Sequence, residues 1–488
     1  MILAYAGNQL FTVYVDHLDL NRLSKLWKLV DRIEELYYST SLVQLAPFLS
    51  SLGPAPNLKV LFLRPELTEG IEEPTPLISL PTIFSGCLPS LRDLTLTDTP
   101  TWPIGLFKGL VSFECDVLGS YSISPVHVLS VLRDSPSITS LRLVGYCTLP
   151  QSQEFHSHAV TLPSLEECIL VGLGTTSLIQ FLTVPSTTRV FLNKSFHEGE
   201  LFPNFDYLTV APGFRVLDEV STVSFSISDH AVQLQAKNVH GGVFDAELDQ
   251  LYELSQQPVI FPHFVRCSFE SGRAFPGFKT ATTFTLDVER SRVWEPEEAM
   301  NFAFDVTEFI FNLPSIEEVK LRGVPPLDLA SILEFPHSAT KFKLPCPSIR
   351  RLHIVSTHIR SPRPLLEDLG KLLAERKEAG MPFQSVTVKV KCELLIPAPE
   401  HRAFLTSWGS LVEEGVSLEY EAAGAKKFPR YQRRNYEGEE ELDYEEDELD
   451  NGDEDEDKNE DEEGVTGDPD DGCVGWGGWP ENWPATVG

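Results

Sequence analysis

Glycine and threonine come together once in a manner suited to phosphate binding. Gly172-Leu173-Gly174-Thr175-Thr176-Ser177 follows the apolar run Cys168–Val171 and precedes a helical pattern. A strand, tight turn and helix in that order aim backbone N–H groups at a pyrophosphate, but a dinucleotide turn needs a third glycine where Ser177 stands. Asp453, Asp455 and Asp457 alternate as calcium ligands do, yet Lys458 occupies the position that must be glycine and Gly464 the position of the bidentate glutamate. His156 with His158, and His353 with His358, have the chemistry of metal ligands or bases but no Cys, Asp or Glu at ligand spacing. The eight cysteines (Cys87, Cys115, Cys147, Cys168, Cys267, Cys346, Cys392, Cys473) form no C-x-x-C and no paired spacing, so reduced and mostly buried thiols are expected. No nucleophile, base and orienting group can be assembled, and the G-x-S-x-G elbow, the Walker loop and the H-E-x-x-H pair are absent. The expectation is a protein that is not an enzyme and holds neither cofactor nor metal.

What must position the remaining side chains is a large folded body. The chain has 488 residues, 42% of them hydrophobic, and a formal net charge of −33. Acidity is concentrated: between Glu437 and Asp471 stand 22 acidic residues and one lysine, Lys458, a net charge of −21 that leaves −12 for all the rest. That run is too charged and too poor in apolar residues to fold, so residues 437–488 read as a disordered acidic tail. No segment reaches the roughly 18 consecutive apolar residues of a membrane-spanning helix, and the first residues lack a basic leader, so a cytoplasmic or nuclear protein is expected.

A short phrase returns along the body: Pro, a small residue, then apolar residues at relative positions 1, 4 and 6. The copies are Pro56-Asn57-Leu58…Leu61-x-Leu63, Pro89-Ser90-Leu91…Leu94-x-Leu96, Pro136-Ser137-Ile138…Leu141-x-Leu143, Pro163-Ser164-Leu165…Cys168-x-Leu170, Pro314-Ser315-Ile316…Val319-x-Leu321 and Pro347-Ser348-Ile349…Leu352-x-Ile354. Weaker echoes are Ile33…Leu36-x-Tyr38, Thr187…Val190-x-Leu192, Val220…Val223-x-Phe225, Ala281…Phe284-x-Leu286 and Phe383…Val386-x-Val388. Positions 4 and 6 share one face of an extended strand, because side chains alternate with period 2. Proline cannot continue a helix and is read as the point where a preceding helix has stopped. Ser124-Pro125, followed by Val128, Leu129, Val131 and Leu132, reads as such a helix with its cap, as do the patterns from Pro296 to Phe311 and from Leu365 to Ala379.

Helix, loop and short strand in repetition predict an α/β fold: an irregular leucine-rich-repeat-like solenoid over residues 1–425, a curved parallel sheet with helices on its convex side. Residues 426–436 form a basic linker with Lys426, Lys427, Arg430, Arg433 and Arg434, and the acidic tail follows. The asparagine or cysteine expected at relative position 9 is replaced by Glu66, Thr99, Tyr146, Leu173, Val324 or Thr357, which predicts an uneven curve.

Degenerate repeats opening with Pro-Ser-Leu resemble the fungal F-box proteins of the leucine-rich-repeat-like type. The segment Tyr5–Val15, followed by Asp31-Arg32-Ile33-Glu34-Glu35-Leu36, is similar to the part of that family that follows the F-box. The resemblance implies a non-catalytic interaction module that holds the substrate of a ubiquitin ligase. It implies a Skp-type adaptor as partner only if an F-box lies upstream, since the Leu-Pro-x-Glu start of that element has no counterpart outside the repeats. The alternative is a stand-alone scaffold that binds basic proteins such as histones through the acidic tail. Either way the expected partners are proteins, not nucleic acid and not a membrane. The outward positions 3, 5 and 7 of the strands are the expected contact face, concave in the solenoid: Phe62, Arg64, Arg142, Lys320, Arg322, Arg351 and His353. In the tail, Trp476, Trp479 and Trp483 follow the acidic run as a candidate peptide anchor.

Overall fold

The five Pro-Ser or Pro-Asn phrases that are described in full each close a β-turn. The amide of the first apolar residue donates to the carbonyl of the residue before proline: Leu58 to Ala55, Leu91 to Leu88, Ile138 to Ser135, Leu165 to Leu162 and Ile316 to Leu313, at 3.2–3.3 Å. Proline suits the second position of such a turn because its φ is already fixed there. The small residue after it has its own task. Its side chain donates to a backbone carbonyl of the preceding unit: Asn57 Nδ2 to Asp31 O at 2.6 Å, Ser90 Oγ to Pro56 O at 2.5 Å, Ser137 Oγ to Leu110 O at 3.1 Å and Ser348 Oγ to Pro314 O at 2.8 Å.

A computed structural model describes residues 9–15, 27–39, 49–64, 79–99, 101–147, 159–172, 174–195, 213–228, 231–249, 276–289, 313–324, 348–359, 361–392 and 396–422, with residues 47, 306, 309 and 310. The chain divides into two units, Met1–Lys426 and Lys427–Gly488, and every described residue belongs to the first. The linker and tail assigned to 426–488, with Trp476, Trp479 and Trp483, lie outside the described residues, as do His156 and His158.

The strands are β1 (Phe11–Val15), β2 (Ile33–Ser39), β3 (Val60–Arg64), β4 (Asp93–Thr97), β5 (Ser112–Ile123), β6 (Ser140–Cys147), β7 (Val160–Thr161), β8 (Glu167–Val171), β9 (Leu182–Thr183), β10 (Arg189–Ser195), β11 (Val220–Ile227), β12 (Ala231–Asn238), β13 (Val243–Asp249), β14 (Thr283–Val288), β15 (Glu318–Arg322), β16 (Arg351–Ile359), β17 (Ser385–Cys392) and β18 (Gly415–Ala422). All but β7 and β9, which pair with each other, form one 16-stranded sheet in the order β1-β2-β3-β4-β5-β6-β8-β10-β13-β12-β11-β14-β15-β16-β17-β18. All eleven phrases fall on strands of this sheet, and their residues at positions 4 and 6 are buried.

The curved solenoid does not form. The sheet is mixed and not strongly curled, because β12 runs antiparallel to both β11 and β13. This meander occupies the Phe202–Arg290 stretch where the phrase is faintest. Nor do the described connections form a continuous convex layer of helices. Among the described residues only three longer α-helices occur, α1 (Pro125–Asp134), α2 (Arg363–Glu378) and α3 (Ala398–Gly409). Pro136 does follow a helix, but Pro89 follows a single 3₁₀ turn at Phe84–Gly86 and Pro163 follows β7. Where a described connection is a 3₁₀ turn or a short strand in place of a helix, the back layer is too narrow there to impose a constant rotation between neighbours, the origin of solenoid curvature. The proline is a turn residue first and a helix stop only locally.

The sheet buries one face. Leu61, Leu63, Leu94, Leu96, Leu141, Leu143, Leu170 and Leu192 pack under the connections, where Trp102 stands edge-on to Phe113 at 6.0 Å and Phe309 edge-on to Phe225 at 4.9 Å. Each such side chain contributes about 1.5–3 kcal/mol on leaving water. Asn238, at the end of β12, satisfies its whole amide in the core: Nδ2 donates to Ser186 O at 2.7 Å and Val216 O at 3.0 Å, and Oδ1 accepts from the amides of His240 at 2.9 Å and Gly242 at 2.8 Å. Asn238→Ala strands these groups and is expected to cost about 3 kcal/mol, against about 1 kcal/mol for Ser90→Ala, both read from denaturant unfolding. Equal losses would remove Asn238 from this role.

Candidate interaction face

In-register pairing carries positions 3, 5 and 7 of every strand into three rows on the face opposite the core. The middle row runs Tyr14, Tyr37, Phe62, Thr95, Glu114, Arg142, Ile169, Phe191, Asp245, Gln235, Ser224, Thr285, Lys320, His353, Thr387 and Ser417. Phe62, Arg142, Lys320 and His353 therefore stand in one line, with Arg64 and Arg322 in the row after it and Arg351 in the row before. The face expected to be concave is one side of a sheet without strong curl.

The structure gathers Lys320, Arg322, Arg351 and His353 on β15 and β16, and Phe62 with Arg64 on β3; Arg142 on β6 stands apart from both groups. Most of these charges already have partners inside the sheet. Arg142 Nε meets Glu114 Oε1 at 2.8 Å, Lys320 Nζ and His353 Nε2 share the Glu318 carboxylate at 3.4 and 3.0 Å, and Arg322 lies 3.8 Å from Asp287. Such partly exposed pairs give about 0–1 kcal/mol each and lower what a partner gains from the same charges. Arg64 and Arg351 have no ion-pair partner among the described residues.

At the β1 edge the face changes character. Tyr14 is 69% exposed and stacks on Tyr37 with ring centroids 4.8 Å apart and planes 13° apart, and Tyr37 meets Phe62 at 5.9 Å. Glu35 and Asp93 flank this line one row earlier, joined in register through Val60. Burial, then the charge of Glu35, holds the Asp93 carboxyl above its ordinary value. Phe62 is the sole member of this group singled out by the sequence reading. Tyr37 occupies position 5 of the Ile33 echo and was findable by the same rule; Tyr14 has no phrase of its own and follows only from the alternation of Val13 and Val15.

Compared with known proteins, the chain matches no family model and no curated sequence.

The glycine turn has a structural account. Gly172 has φ +105°, and a Cβ there would stand 2.4 Å from Gly145 O; at Gly174 (φ +72°) it would meet Cys147 O at 1.8 Å. The glycines admit the neighbouring strand's backbone, Thr175 Oγ1 donates to Gly145 O, and the following helical segment is a 3₁₀ turn over Thr176–Phe181. Among the described residues no group of three His, Cys, Asp or Glu side chains is placed to hold a metal, and no helix is long and apolar enough to cross a membrane. Burial pushes the Cys147 and Cys168 thiols up to about 12, and the Cys115 thiol up as well, which suppresses the reactive thiolate.

Asp245, mid-sheet, accepts from Gln233 Nε2 at 2.9 and 3.1 Å and from Gln235 Nε2 at 3.3 Å. Burial raises its pKa, while the two amides and the charge of Lys237 oppose the rise. The folded chain thus holds this proton more tightly than the unfolded chain, and stability falls as pH climbs from the ordinary value of 3.8 through the folded value. Asp245→Asn should accordingly raise the melting temperature at neutral pH, with the gain vanishing well below pH 3.8. Gly172→Ala should cost about 2 kcal/mol or more in the same melts, because strain and a backbone clash coincide.

Proposed function

We propose that this chain is a non-catalytic protein-binding module whose contact surface is the sheet face opposite the core, acting as the substrate-recognition part of a larger assembly. The observation that carries the reading is the contiguous aromatic line on that face, Tyr14 stacked on Tyr37 and 69% exposed, with Tyr37 and Phe62 half-buried beside it. Aromatic side chains supply much of the energy of protein interfaces, and a contiguous group of them reaching solvent favours a partner. The resemblance of the Tyr5–Val15 segment and the Pro-Ser-Leu phrases to the region after the F-box adds the ligase role. Under that reading the bound protein is a ubiquitination substrate.

A second reading rests on the acidic run Glu437–Asp471, whose net charge of −21 suits basic proteins such as histones. Proximity labelling in cells separates the two. With the Tyr14→Ser/Tyr37→Ser/Phe62→Ser triple variant the labelled partners should fall about tenfold, and deletion of 437–488 should leave them in place. The opposite pattern would favour the tail. For the ligase role, partners lost by the face variant should also become longer-lived in cells carrying it.

A further inference from the structure

The two ends of the face differ in how their charges are satisfied. On β14–β16 the basic groups Lys320, Arg322 and His353 are matched by Glu318 and Asp287. On β1–β4 the outward carboxylates Glu35 and Asp93 have no cationic partner among the described residues; Glu35 is held by neutral groups, Oε2 accepting from Thr12 Oγ1 at 2.9 Å and the carboxylate also meeting the Tyr37 hydroxyl. Nearby, Lys59 is engaged with Glu34 at 2.7 Å, and Arg64 stands in the row beyond Phe62, where its charge acts on Asp116. Two carboxylates without a cation among the described residues thus border an aromatic line whose outer member, Tyr14, is exposed, and burial, then the charge of Glu35, raises the pKa values of Tyr37 and Asp93 alike. A positive charge would relieve both. Aromatic faces attract cations through the ring quadrupole, and carboxylates beside them supply the counter-charge.

We propose that the β1–β4 end of the face binds an extended, lysine- or arginine-bearing segment of a partner protein, with its cationic side chains against Tyr14, Tyr37 and Phe62 and neutralised by Glu35 and Asp93. The inference rests on the protein-binding reading and names the chemistry of its partner. Glu35 and Asp93 are two strand spacings apart, about 10 Å, which three residues of extended chain also span. The favoured segment therefore has basic residues at every third position and crosses the strands.

The test uses the full chain at about 150 mM salt, where long-range attraction is screened. The probe is a fluorescein-labelled peptide of Lys-Gly-Gly units, with a Glu-Gly-Gly peptide as control. Zero-length carbodiimide cross-linking and peptide mapping then report which carboxylates the probe lysines reach. Cross-links at Glu35 and Asp93, reduced about tenfold by Tyr14→Ser/Tyr37→Ser and unchanged in Val239→Ser, an exposed position on the β12–β13 turn outside the proposed site, are the expected result. Tyr14→Ser alone removes an exposed ring and should already weaken them, which guards against a folding defect as the cause. Cross-links confined to residues 437–471, or equal binding of the glutamate peptide, would overturn the proposal. If partner labelling still depends on the face in that case, the protein-binding reading survives without this chemistry; if neither the probe nor any partner depends on the face, both fall.

Discussion

Parallel register is the constraint on which everything else in this sheet depends. A Pro-Ser or Pro-Asn turn fixes the residue at which β3, β4, β6, β8 and β15 start, and a backbone ladder ties these starts to those of their neighbours: Lys59 N to Glu34 O, Arg92 N to Lys59 O, Val111 N to Arg92 O, Thr139 N to Val111 O, Glu166 N to Thr139 O and Arg189 N to Glu166 O, at 2.7–2.8 Å. A slip of one residue would turn the buried leucines outward and bring Phe62, Arg142 and Lys320 into the core. Serine after proline makes that slip costly, because its hydroxyl reaches a carbonyl of the preceding unit only in the native alignment. The outward rows exist because the inward ones are held so firmly.

The meander tests this arrangement. After β10 the chain passes over two strand positions before β11 forms, and the vacancy is filled from the other side by the β12–β13 return. Two features make it tolerable. Both β10–β13 and β11–β14 remain parallel and in register, so the interruption reverses one strand alone. Asn238 supplies from a side chain the hydrogen bonds that a turn ladder supplies elsewhere, binding the reversal to Ser186 and Val216 of the connections beneath it. A buried polar group with every bond made specifies a unique arrangement where repeated leucines alone would not.

These facts explain how much could be read from the residues. Eleven strands were legible because the period-2 phrase is a direct consequence of one buried face. The helical layer was overread: proline ends a helix, but it equally opens a turn, and the Pro89 and Pro163 phrases look the same in sequence whether a helix or a 3₁₀ turn precedes them. β5, β13 and β18 carry no Pro-Ser and left no phrase. Antiparallel β12 was invisible for a different reason, since Ala231–Asn238 alternates as any half-buried strand does and direction leaves no mark on alternation. Of the seven face residues named from position alone, all stand outward; the Lys320–Glu318 pair lies within β15, two residues apart, and was legible there, but the pairing of Arg142 with Glu114, His353 with Glu318 and Arg322 with Asp287 crosses between strands, and strand adjacency cannot be read from one strand's sequence.

That last point decides which part of the face matters. Of the seven residues expected from positions 3, 5 and 7, four fall on β15 and β16. There β15 itself supplies Lys320 with Glu318, and strand adjacency supplies Arg322 and His353 with Asp287 and Glu318, so a partner docking there must displace an existing pair and gains only the difference. At β1–β4 the same bookkeeping runs the other way. Tyr14 stacks on Tyr37, and Tyr37 meets Phe62 at a tilt, which organises the rings before any partner arrives, and Glu35 and Asp93 repel each other across Val60 with no cation among the described residues to offset them. Rigid aromatic surface and unsatisfied charge are both features whose free energy improves only on association. The β1 end of the sheet is therefore the part of the face with most to gain from a partner, although only Phe62 and Arg64 of the seven residues expected from position belong to it.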